Sequence, residues 1–191
     1  MREAPAQRLS RWLVFLLILL LCLDVLITPF TPAFAYFRSG AVTDIPLEGL
    51  MNTFAYDFDD GLGNLLRIIL SEAWKEPYTA VLALFLLVCG VCGAVLLAEG
   101  IRILASVADG TPFLRGNGTC LRQAAACCFT ISGAALARTL CDLALLRTLH
   151  PLFSYTALFI PLFFMAGLFC LVTAPLFHEA ADIQAENDTI I

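Results

Sequence analysis

Four long apolar stretches dominate this chain, and each is long enough to cross a lipid bilayer. A helix rises about 1.5 Å per residue, so about 20 apolar residues cover a hydrocarbon core of roughly 30 Å. Residues 12–37, 77–98, about 123–146 and 152–177 meet that length. Lipid offers no partner to an open backbone N–H or C=O, so these spans must be helices. With 60% of residues hydrophobic, 14% charged and a mean hydropathy of +0.88, the chain carries more apolar surface than a soluble fold can hide. The expected architecture is all-α: a single integral membrane domain over residues 1–191, folded as a four-helix transmembrane bundle whose medium is the lipid bilayer. Residues 38–76 form an outer segment, 99–122 a connection and 178–191 a tail.

Basic residues near span ends set the orientation. Arg2, Arg8, Arg11, Arg102, Arg115 and Arg122 lie on one side, against Arg38, Arg67, Lys75 and Arg147 on the other. Both termini are therefore expected to face the cytoplasm, in a cell membrane crossed several times. The outer segment agrees, since Asp44, Glu48, Asp57, Asp59, Asp60, Glu72 and Glu76 outnumber its basic residues. A competing reading is a cleaved signal peptide, with Ala33-Phe34-Ala35 as the small-x-small site. The apolar run is long for such a segment and holds Asp24, Pro29 and Pro32, which favours a retained, bent span.

Several shorter patterns invite chemistry and do not sustain it. Leu65, Leu66, Ile68, Ile69, Leu70 and Trp74 suggest an amphipathic helix, either on the membrane surface or capping the bundle. Asp57, Asp59 and Asp60 resemble a calcium loop, but Gly61 breaks the order and no glutamate closes it. Cys89-Gly-Val-Cys92 matches a redox spacing yet falls mid-span, where a free thiol packs as a small apolar group. The sequons at Asn117 and Asn187 fall on the expected cytoplasmic side, and Asn117 reads better as an N-cap of the third helix.

Charges within spans need a partner or a purpose, at about 2.5–3.5 kcal/mol each on insertion scales. Arg138 and Asp142 are one helical turn apart in the third span and can meet on one face. Asp24 is expected about 18 Å deep and Arg138 about 24 Å, so a long side chain can close the gap. The expectation is a structural polar cluster of Asp24, Arg138 and Asp142 that pins the first helix to the third; a proton or ion relay is the alternative. Gly90, Gly93 and Ala94, with Ser132, Gly133, Ala134 and Ala135, provide surfaces for close helix approach.

No constellation for catalysis emerges. His150 and His178 are expected on opposite faces, no His, Cys and carboxylate set has ligand spacing in an aqueous region, and no Gly-Lys-Ser/Thr follows Gly110, Gly116 and Gly118. The expectation is a protein that is not an enzyme and needs no cofactor or metal. A net charge of −5 without a Lys/Arg cluster argues against direct nucleic-acid binding.

The closing stretch, Leu176-Phe177-His178-Glu179-Ala180-Ala181-Asp182-Ile183-Gln184-Ala185-Glu186-Asn187-Asp188, resembles the signature of a bacterial membrane family known as domain of unknown function 2975. Pro112-Phe113, Asn117 and Leu121-Arg122 resemble that family's connection between spans two and three. Gln184 stands where the family commonly has Lys, and Thr189-Ile190 replaces Leu-Thr. The resemblance implies a four-span protein and association with a cytoplasmic helix-turn-helix transcription regulator. Independently, Glu179, Asp182 and Glu186 recur at i, i+3 and i+7, on one face of a helix continuing the last span. The expected function is binding of a cytoplasmic partner through Arg102, Pro112, Phe113, Arg115, Asn117 and Arg122 together with Glu179, Asp182, Glu186, Asn187 and Asp188. Small-solute or proton transport is the alternative.

Overall fold

The computed structural model describes residues 5–38, 63, 66–109, 115–147 and 150–189, and every regular element among them is helical. In chain order these are α1 (Pro5–Ile27), a 3-10 turn (Thr28–Phe30), α2 (Thr31–Arg38), a 3-10 turn (Glu72–Trp74), α3 (Pro77–Ala108), α4 (Arg115–Leu146), a 3-10 turn (His150–Phe153) and α5 (Tyr155–Thr189). Four helices are long and apolar enough to cross a membrane, with α1 and α2 acting together as the first. This is the anatomy of a multi-pass membrane protein.

Local sequence explains where the helices start, bend and stop. The first span changes to 3-10 geometry at Thr28-Pro29-Phe30, because Pro29 has no N–H for the helical ladder. Thr28 donates its hydroxyl back to the carbonyl of Asp24, one turn earlier (2.8 Å). α3 opens on Pro77, whose missing N–H is harmless at a first helical position, after an extended Glu76 (ψ 125°). α4 ends at Arg147, which takes the left-handed conformation (φ 50°) and donates its N–H to Leu143 O (3.0 Å), a helix-terminating motif.

Sequential helices pack antiparallel. Along the α1–α3 seam, Ser10 donates to Leu104 O (2.6 Å), Leu17 faces Gly100, Asp24 faces Gly93 and Thr28 faces Gly90. Ala35 continues the contact on Leu82 and Ala83. Ser10, Leu17 and Asp24 are seven residues apart, so they form one heptad stripe along the contact. α4 pairs with α5 through Ser132 Oγ–H to Ile160 O (2.9 Å) and through Phe129 edge-on to Phe164 (5.6 Å) beside Gly167. The principal helix neighbour of both α1 and α2 is α3, while α4 packs between α3 and α5.

Two boundaries differ from the sequence reading. Residues 99–108 and 115–122, expected as connection, are helical continuations of α3 and α4. Hydropathy marks where lipid ends, whereas a helix propagates cooperatively past that point while its ladder holds. The expected N-cap at Asn117 is also replaced, because α4 already begins at Arg115.

Candidate functional site

The ionisable groups of the spans gather around α3. Arg138 and Asp142, one turn apart on α4, approach to 3.5 Å (Nε to Oδ2). The Arg138 guanidinium also lies over the Phe85 ring of α3, 4.9 Å from its centroid, a cation–π contact that offsets some lost hydration. Asp24 does not join them in an ion pair. It sits in the α1–α3 seam facing Gly93, with Oδ2 3.5 Å from where a Cβ there would stand, an ordinary contact distance. Of the expected trio, Arg138 and Asp142 form an ion pair on α4, and Asp24 faces α3. The physical reason is the neighbour choice, since α1 docks on the glycine face of α3 and not on α4.

A second polar group occupies the end of the bundle where the N-termini of α1 and α4 meet the C-termini of α3 and α5. Glu99 on α3 is only 4% exposed and accepts from Arg102 Nη1 (2.9 Å). The Cys120 thiol of α4 lies against this pair. Asn117 donates from Nδ2 to Ser106 Oγ (2.8 Å), tying the start of α4 to the end of α3. His178 of α5 packs on Gly118, where a Cβ would stand 2.6 Å from Nε2. Gly118 therefore has to lack a side chain for the end of α5 to dock.

Among the described residues, four buried side-chain atoms have no hydrogen-bond partner in the protein: Asp24 Oδ2, Glu99 Oε2, Arg138 Nε and Asp142 Oδ1. All belong to the ionisable residues just described. An unsatisfied buried polar atom is destabilising by about 1–3 kcal/mol, more if charged, so four in one small bundle is a concentration worth a functional explanation.

The remaining sequence candidates distribute as follows. Arg102 and Arg122 are exposed near this end, Arg115 opens α4, and Pro112 and Phe113 lie outside the described residues. Glu179, Asp182 and Glu186 are exposed on α5, and Asn187 and Asp188 belong to its last turns. Asp57, Asp59 and Asp60 are likewise outside the described residues. The structure adds Glu99, Ser106, Cys120 and His178, which sequence reasoning did not select. Only the Glu99 and Arg102 spacing at i, i+3 was available as a local signal. The residues were there to see, but what brings them together is the antiparallel register of three helices.

A model of the family described as protein of unknown function (DUF2975) matches residues 3–191. The chain belongs to that family. The match covers both spans and ends, so the polar end and the intramembrane charges described for this member lie within it. No curated protein and no solved structure matches the chain.

Proposed function

We propose that this family member is a non-enzymatic membrane protein that binds a cytoplasmic partner on the helical end formed by α3, α4 and α5. The observation that carries the reading is the length of α5. Its 35 residues extend about 52 Å at 1.5 Å per residue, well beyond a hydrocarbon core of roughly 30 Å. The surplus is ordered helix, docked through His178 on Gly118 and through buried Ala181, with Glu179, Asp182 and Glu186 outward on one face. A pre-ordered surface avoids the entropy of folding on binding, and its carboxylates favour a partner with a basic face, such as a transcription regulator. In this reading both termini are cytoplasmic.

Conduction of protons or a small ion is a second reading, favoured by the four unsatisfied atoms around α3. One experiment separates the two. Crosslinking and pull-down from native membranes should capture a cytoplasmic partner with the intact chain, and about tenfold less with Glu179→Lys, Asp182→Lys and Glu186→Lys combined, an effect that weakens in high salt. A chain ending at Phe177 should capture none while still inserting. An unchanged partner set, together with solute flux in liposomes that Asp24→Asn abolishes, would replace binding by transport.

A further inference from the structure

The stretch just before α3 has two unlike sides. Residues 66–70 are helical, followed by the 3-10 turn at Glu72–Trp74. On the inner side Ala73 is fully buried, and the turn packs on α2 and α3. On the outer side Leu66 (50% exposed), Leu70 (75%) and Trp74 (42%) follow one another at four-residue intervals. The adjacent stripe is polar: Arg67, Ser71 and Lys75 are exposed. Glu72 is held between Arg67 (3.7 Å) and Lys75 (2.8 Å), leaving the trio one positive charge in excess. The Lys75 hydrogen bond keeps the Glu72 carboxyl below its ordinary range and hence ionised.

Position says what covers the apolar stripe. Trp74 stands three residues before Pro77, a distance of at most about 10 Å even for extended chain. The uncharged run 77–98 is about 33 Å long as helix, which matches the hydrocarbon thickness and places Pro77 at its boundary. Tyr155, at the start of α5 on the same end, is almost fully exposed, and Trp12 is exposed near the opposite end. Exposed Trp and Tyr at both ends of a set of spans are the pattern of aromatic side chains in the two interfaces. Trp74 Nε1–H already donates to Ile69 O (2.9 Å), so the indole can enter an apolar layer without an open donor.

We propose that residues 66–75 form an interfacial anchor, with Leu66, Leu70 and Trp74 inserted among the upper acyl chains and Arg67 and Lys75 at the lipid phosphates. The anchor holds the start of α3 at a fixed depth. A cap over the bundle would turn the same three residues inward, and their exposure opposes that arrangement.

The chain has only two tryptophans, so Trp12→Phe leaves Trp74 as the sole indole reporter. This variant, reconstituted in phosphatidylcholine–phosphatidylglycerol vesicles, is read with nitroxide lipids labelled near the headgroup or near the chain end. Trp74 emission should be quenched about twofold more strongly by the shallow label than by the deep one, and only weakly by aqueous iodide. Adding Leu66→Asn and Leu70→Asn should shift quenching from lipid label to iodide while helicity is retained. Strong iodide quenching without lipid quenching, stronger quenching by the deep label, or no change with the Asn pair would each overturn the proposal.

Discussion

Replacing Gly90 by valine should separate the first span from α3 and lower stability by about 3 kcal/mol, the upper part of the range for overpacking. Gly90 lies directly under Thr28, and a Cβ there would already be 2.9 Å from Thr28 Cγ2 with the hydroxyl closer still. Thr28 has little freedom to yield, because it belongs to the 3-10 turn and donates to Asp24 O. Gly90→Ala should be milder, since about 1 kcal/mol of helix propensity opposes the clash. Thr28→Ala in the same chain should restore most of the loss. Gly133 supplies the control: nothing lies within 4 Å of its would-be Cβ, so Gly133→Ala should be neutral or slightly stabilising. Unfolding midpoints in mixed micelles titrated with a denaturing detergent would measure all four. A Gly90→Val midpoint equal to that of the parent would remove the seam from the account.

The second large effect concerns Arg138 and Asp142. Removing one member of a buried ion pair leaves the other uncompensated, typically a loss of about 3–5 kcal/mol, whereas replacing both with apolar residues is often neutral or better. Arg138→Met should fall in that range, because Asp142 already has one unpartnered oxygen and would lose its counter-charge. Asp142→Leu should be less damaging, since Arg138 keeps the Phe85 ring and a long stem that can carry its charge toward water. The double variant should be more stable than either single one. The double-mutant cycle in the same detergent titration tests this. Strictly additive losses would mean that the 3.5 Å approach contributes nothing.

The features legible in the sequence were those set by one helix at a time. Hydropathy alone marked four spans, because a bilayer demands about 20 apolar residues in a row whatever their neighbours are. The break at Pro29, the start at Pro77, the approach of Arg138 to Asp142 at i, i+4 and the continuation of the last span through Glu179, Asp182 and Glu186 are likewise local consequences of helix geometry. Only tertiary structure decided which helix faces which. Spans that are apolar all round meet lipid as readily as each other, so periodicity says little about neighbours, and close packing of small residues makes the choice. Asp24 accordingly faces Gly93 on α3 and makes no ion pair with Arg138, because α1 packs on α3 and not on α4. Glu99, Cys120 and Ser106 are ordinary residues in the linear chain, and nothing there brings them to Asn117. They form a polar end because α3 and α4 run antiparallel in one register, and His178 joins them because only a glycine at 118 lets α5 approach.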